Sequence, residues 1–259
     1  MRARIAAAAI LLAISGCAAP PANPSGNASA PPPLADLSAG QCTTRLDQSL
    51  TITDCAKAHH WEVAGVVPVD AEQYPGEAEL RARATEECPA IFRDFVGVNA
   101  QSSPYSLTFL GPIEAQWDTP GTHKLACLAG TDAVSISGSI KGRNLVFPQV
   151  GECIQQPPAS GIGVKLTACD SKHYYEVYAT KNWTSKKTPT QKQLDKLYTD
   201  VCVKGFTTFI GLNPGKSTYE ILRFQAARSS WEQVPDHRIV CAAGSPSGGI
   251  TGSLKGVKK

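Results

Sequence analysis

The sequence predicts an α+β protein of two tandem homologous modules, each combining short antiparallel strands with one long helix and each stapled by two disulfides. Three observations predict it. The chain repeats itself at an offset of 114 residues: Cys55, Cys88 and Cys127 return as Cys169, Cys202 and Cys241, while His59, Glu62, Trp117 and His123 return as His173, Glu176, Trp231 and His237. Apart from Cys17, the cysteines fall into two sets of four, Cys42 pairing with Cys153 at an offset of 111. Within each copy the apolar period changes from strand-like to helix-like and back. The repeat length far exceeds that of a solenoid, so the copies read as two domains, residues 38–148 and 149–259.

The N-terminus comes first. Arg2 and Arg4 precede a short apolar run ending in Ile14-Ser15-Gly16-Cys17. Charge, apolar stretch and small residues form a signal-peptide pattern over residues 1–16, too short to span a bilayer as a helix. The cysteine after Ser-Gly resembles a bacterial lipobox and makes Cys17 the expected lipidation site. Acyl chains would then be the only membrane anchor, and stable anchoring takes two or more of them. Residues 17–37 hold six prolines among small and polar residues, a composition that reads as an extended tether.

In module one, strands are expected at 41–45, 50–54 and 60–68, then at 106–110, 123–128 and 134–140. Module two repeats the last three at 219–224, 238–242 and 250–254. The helix of module two is read from Leu194, Leu197, Val201, Cys202, Phe206 and Phe209, which recur at steps of three and four. Thr188-Pro189-Thr190-Gln191 reads as its capping box, and Gly211, like Gly97, as its stop. Pro89 predicts a kink or restart in the first helix, while Val203 predicts a straighter second one.

Four cysteines allow three pairings. The favoured one joins Cys42 to Cys55 and Cys88 to Cys127, and likewise Cys153 to Cys169 and Cys202 to Cys241, because a three-residue insertion at 157–163 is tolerable at the tip of a hairpin. Export and even counts favour disulfides over zinc, which Cys55/His59 with His123/Cys127, or Cys169/His173 with His237/Cys241, would otherwise suggest. No cofactor is expected.

His59 and Glu62, like His173 and Glu176, have the residue types of an acid/base pair. A separation of three along a strand puts them on opposite faces, so each histidine is expected to serve local backbone. His123 and His237 read as turn-closing residues, Trp117 and Trp231 as packing anchors. Gly215-Lys216-Ser217 follows a helix and lacks phosphate-loop spacing, which makes it a surface turn.

Charge separates the copies. Residues 36–150 carry eight Lys/Arg against fourteen Asp/Glu, net −6; residues 151–259 carry fifteen against eight, net +7. In the basic copy Tyr174, Tyr175, Tyr178 and Trp183 lie near Lys181, Lys186 and Lys187, a candidate binding surface for glycans or anionic polymers. Nucleic acid is not an expected partner outside the cell.

The module resembles the septum formation-related domain of actinobacterial exported and membrane-anchored proteins. The resemblance rests on Gly40-Gln41-Cys42, Cys55-x3-His59-x2-Glu62-Val63, Cys88, Trp117 and His123-Lys124-x2-Cys127. It recurs in Gly151-Glu152-Cys153, Cys169-x3-His173-x2-Glu176-Val177, Cys202, Trp231 and His237-Arg238-x2-Cys241. It implies an extracytoplasmic domain tied to cell division or envelope biology, without established catalytic residues. The expected function is a lipid-anchored, non-catalytic binding or scaffold protein on the outer face of the cytoplasmic membrane. Its expected partners are the membrane, through the lipid, and an envelope protein, wall polymer or anionic lipid surface. The alternatives are an envelope hydrolase or transferase using His/Glu, and a carrier of a small ligand between the modules.

Overall fold

A computed structural model describes residues 34–46 and 50–259. The signal peptide, Cys17 and residues 17–33 of the tether lie outside the described residues. The folded part begins earlier than the boundary read from the sequence. Leu34–Asp36 forms a 3-10 turn, and Leu34 and Leu37 are buried with Leu50, Trp61, Val63, Ala126 and Leu128. Two leucines in the last tether residues found apolar surface to cover, which proline-rich composition hid.

The first half contains β1 (Cys42–Thr43), β2 (Ile52–Thr53), β3 (Ala58–His59), β4 (Trp61–Pro68), α1 (Glu77–Val96), β5 (Ser106–Leu110), β6 (Lys124–Gly130) and β7 (Ile136–Ser137). Its antiparallel sheet has the order β2-β1-β4-β6-β5, with β3 and β7 paired separately. The second half contains β8 (Cys153–Ile154), β9 (Leu166–Thr167), β10 (Tyr175–Asn182), α2 (Gln191–Leu197), a π-helical segment (Tyr198–Val203), α3 (Lys204–Ile210), β11 (Glu220–Phe224) and β12 (Arg238–Gly244). The order β9-β8-β10-β12-β11 repeats the first sheet. His173 and Ile250 form a single bridge where β3 and β7 pair in the first half.

Four disulfides join Cys42 to Cys55, Cys88 to Cys127, Cys153 to Cys169 and Cys202 to Cys241. The first of each half closes the strands at the sheet end. The second clips the helix to β6 or β12, bringing residues 39 apart in sequence within 5.5 Å and 5.3 Å between Cα atoms.

The helices reverse the sequence expectation. Helix α1 runs unbroken for 20 residues through Pro89. Proline removes the N–H that would bond the Thr85 carbonyl, but both residues are exposed, so water serves that carbonyl. The buried side, Leu80, Ala84, Cys88, Phe92, Phe95 and Val96, is untouched. The second helix is not one long α-helix, because the π segment interrupts it. The cause is a register shift in β10 between Val177 and Ala179, which leaves Tyr178 as the bulged residue. Its hydroxyl donates to the Cys202 carbonyl at 2.7 Å, so that carbonyl bonds outside the helix ladder. Gly205 makes room: a Cβ there would sit 3.1 Å from the Tyr178 ring. Half one has the same bulge, between Val63 and Gly65, but Ala64 occupies it and Ile91 fills the space over Gly65. The capping box is also two residues later than read, Thr190 with Gln193, and Pro189 stands just outside the helix. Gly97 and Gly211 end their helices with φ of 94° and 85°.

The halves, expected as separate domains, share a core. Phe92, Phe95 and Tyr105 of the first pack in one cluster with Ile154, Tyr175 and Phe224 of the second, around the connecting Leu145, Val146 and Phe147. Asp236 fixes the connection. One carboxylate oxygen accepts the Val146 and Phe147 amides, each at 3.0 Å, and also pairs with Arg238 at 2.6 Å. Arg238 in turn donates to the Phe147 and Pro148 carbonyls. Lys124, its counterpart, donates to the Ala35 and Leu37 carbonyls at 2.8 Å each, so each half grips the segment that enters it.

Candidate functional site

The polar centre of half one is His59 with Glu62, both fully buried and 3.2 Å apart. The sequence reading kept them apart, and the structure corrects it. The strand is not continuous: β3 ends at His59 and pairs with β7, whereas β4 starts at Trp61 and pairs with β1 and β6. The break at His60 cancels the alternation that would have separated the two side chains.

Partners decide where the proton is. The His59 Nδ1 lies 2.9 Å from the Lys57 carbonyl, which only accepts, so Nδ1 carries a hydrogen. Nε2 faces Glu62 Oε1, which already accepts the Ile140 amide at 2.7 Å, while Oε2 accepts the Ser139 hydroxyl at 2.6 Å. Two lone pairs cannot meet at 3.2 Å in a buried site without repulsion, so a proton lies between Nε2 and Oε1. Burial pushes the His59 pKa down, but the hydrogen bonds it donates to Glu62 and to the Lys57 carbonyl outweigh it, and the pKa is raised above the usual 6.5.

Half two builds the same centre with a different outcome. Glu176 accepts the Ser253 hydroxyl at 2.8 Å and the Leu254 amide at 2.6 Å, and His173 Nδ1 meets the Ser171 carbonyl at 2.9 Å. Yet His173 is fully buried and its Nε2 has no partner. The segment after β7, Ser139 to Gly142, and its copy Ser253 to Gly256 wrap these carboxylates. Sequence reasoning missed this role, although the retained run around Ser139 and Ser253 was its signal.

The Cys42 Sγ, a His59 ring nitrogen and a Glu62 oxygen all lie within 4.8 Å of one another. This is the grouping that most resembles a metal set, and its sulfur is engaged in the bond to Cys55. The zinc spacing weighed from sequence uses Cys127 as well, which is bonded to Cys88.

His123 and His237 take the same part in each half. Each places Nε2 2.8 Å from the carbonyl of Trp117 or Trp231 and stacks on that indole, at 3.9 Å and 4.9 Å between ring centres. Both tryptophans are buried.

The Septum formation family matches residues 39–241, more than three quarters of the chain. The chain belongs to the Septum formation family. The family's match runs through both halves without a break, from just before β1 to Cys241, so both histidine–glutamate centres fall inside it. No curated protein and no solved structure matches the chain.

On the surface of this family member the candidate binding residues separate. Tyr175 is buried in the shared core, its hydroxyl donating to Glu220 at 2.5 Å, and Tyr178 is committed to the helix. Tyr174 packs against the turn at Gly248. What stays outside is Trp183, half-buried, with exposed Lys181, Lys186 and Lys187 around it. The Trp183 Nε1 donates to the Lys187 carbonyl at 2.8 Å, holding the loop after β10 in a curl. Beside it a cleft of about 590 Å³ is lined by Trp183, Asn182, Arg143, Asn144 and His237. A second cleft, of about 340 Å³, opens where the halves meet, between Arg93, Val98 and Asn99 on one side and Ile162, Gln233 and Val234 on the other. Among the described residues no helix is long and apolar enough to cross a membrane.

Proposed function

We propose that this Septum formation protein is a lipid-anchored scaffold of the cell envelope, held by Cys17, whose basic half presents Trp183 and its lysines to an anionic wall polymer or lipid headgroup. The carrying observation is the cleft at Trp183, with an aromatic face and the Arg143 side chain in its lining, and three exposed lysines, Lys181, Lys186 and Lys187, close to Trp183 along the chain. Such a site takes a sugar ring on the indole and phosphate or carboxylate groups on the cations. A non-catalytic reading is supported by the burial of His59, Glu62, His173 and Glu176, none of which offers a surface on which a glycan or peptide could be hydrolysed.

The test is co-sedimentation of the mature protein with anionic wall polymer in one arm and anionic-lipid vesicles in the other, across a salt series. The triple variant K181E/K186E/K187E loses binding in the arm that holds the partner, with an unchanged melting temperature. Equal retention of variant and wild type in both arms overturns the reading. The junction cleft favours a second reading, a small-ligand carrier, for which Val98→Trp would abolish binding while the lysine variant would not.

A further inference from the structure

We infer that the Cys42–Cys55 bond is an exchangeable disulfide that oxidises an exported protein dithiol, with the proton between His59 and Glu62 going to the leaving Cys42 sulfur. This goes beyond the binding role and does not rest on it.

Thiol–disulfide exchange requires one reachable sulfur and one good leaving group. Cys55 is partly exposed, in a turn where Asp54, Ala56 and Lys57 are all exposed. Cys42 is fully buried, so a substrate can attack only at Cys55. Behind Cys42, a His59 nitrogen and a Glu62 oxygen lie within 4.8 Å of the sulfur and of each other, with a proton already held between them. Lys57 is in the same turn as Cys55, and its carbonyl fixes the His59 ring.

The bonds balance as follows. A substrate thiolate attacks Cys55 Sγ, the Cys42–Cys55 bond breaks, and a mixed disulfide forms. Cys42 leaves as thiolate and takes the proton from the His59–Glu62 pair, which solvent later restores. The second substrate thiolate attacks its own sulfur in the mixed disulfide, closes the substrate disulfide and releases Cys55 as thiolate, which is protonated by water. Two electrons pass from the dithiol to the protein, and its two protons go to solvent.

Half two is the internal control. Cys153–Cys169 has the same 5.2 Å Cα separation, a buried Cys153 and a partly exposed Cys169. Its histidine, His173, has an Nε2 without a hydrogen-bond partner, so it shares no proton with Glu176, and the trio Cys153, His173 and Glu176 does not close to the same distance. Reach is alike, the loops are of similar length at 13 and 16 residues, and the shared proton is the difference in chemistry.

The experiment treats the full mature protein with dithiothreitol, quenches in acid, alkylates with a mass-tagged maleimide and reads each disulfide by peptide mass spectrometry. Cys42–Cys55 opens about a hundredfold faster than Cys153–Cys169, the low end of what a placed general acid contributes. Glu62→Gln, which keeps an acceptor for Ile140, brings the two rates together. The wild-type ratio falls as pH rises through the raised His59 pKa. The charged groups facing that ring are Glu62 on β4 and Arg143 beyond β7, and arginine does not titrate in this range. Equal rates for the two bonds in the wild type, or a ratio independent of pH, overturn the inference, and neither result depends on a variant folding.

Discussion

The two halves are one architecture carried by two sets of side chains, and their differences show what the architecture leaves open. Strand order, disulfide pattern, tryptophan–histidine stacks and carboxylate anchors coincide. The halves differ where one residue changes a local balance. Ala64 against Tyr178 decides whether the helix is continuous or carries a π segment. Gln41 against Glu152 decides whether the entry to the sheet titrates. The bond from His59 to Glu62, which His173 does not make to Glu176, decides whether a buried proton is shared. Net charges of −6 and +7 decide which half can face an anion. The backbone plan is stable to these exchanges because disulfides and shared core fix it elsewhere.

The comparison breaks most visibly at Asp236. Asp236→Ala leaves the Arg238 charge without its carboxylate and two amides unpaired in a nearly closed site, and costs about 3–5 kcal/mol in denaturant unfolding. Its counterpart Thr122→Ala loses only hydroxyl contacts to the carbonyls of Gln116, Trp117 and Thr119, about 1 kcal/mol. Equal losses would deny Asp236 its role in joining the halves.

Removing the helix clips is next. Loops of 39 residues correspond to ~4 kcal/mol in each half, against ~3 kcal/mol for the shorter bonds of 13 and 16 residues. Paired serine variants measured by denaturation test whether the halves lose alike. A markedly smaller loss from Cys88 and Cys127 than from Cys202 and Cys241 would show that unbroken α1 needs no clip.

The pH profile sharpens the third difference. Glu152 accepts Tyr105 Oη at 3.0 Å and the Gln149 amide at 2.7 Å, and burial outweighs these bonds to push its pKa up to about 6. A carboxyl whose pKa is raised on folding favours the protonated native state. Its contribution is complete below the unfolded value of 4.5 and is lost as pH rises through about 6, a change of about 2 kcal/mol. Glu152→Gln removes that fall, matching Gln41, which accepts the Ser38 amide without titrating. The raised His59 pKa acts in the same direction at higher pH, its contribution complete below 6.5 and lost as pH passes the folded value. A stability curve that rises from pH 4.5 to 7 would contradict both assignments.

The smallest effect is local. Tyr178→Phe removes the bond to Cys202 and costs about 1 kcal/mol, with hydrogen exchange accelerated in the π segment and not in α1. Unchanged exchange there would separate the π turn from the tyrosine.

Much of this was legible in the sequence because the repeat served as its own alignment. Matching cysteines, helix stops at Gly97 and Gly211, and buried Trp117 and Trp231 all follow from residues that recur. What failed depends on three-dimensional context. Pro89 does not restart its helix, which runs on through it with the proline on the exposed side, a placement no local pattern states. His59 meets Glu62 because a single residue, His60, lets the chain change sheets. Tyr175 and Tyr178 looked like a surface because lysines such as Lys181, Lys186 and Lys187 stand near them in sequence, yet Tyr175 lies in the core and Tyr178 packs against it. The shared core was hidden because Leu145, Val146 and Phe147 read as a connector between two domains.

Nitrogen-15 spectroscopy of the histidine rings at pH 6.5 tests the difference between the halves most directly. The account predicts both His59 nitrogens protonated and hydrogen-bonded, and in His173 a hydrogen-bonded Nδ1 with an Nε2 that has no partner. Finding the two rings in the same state would contradict it.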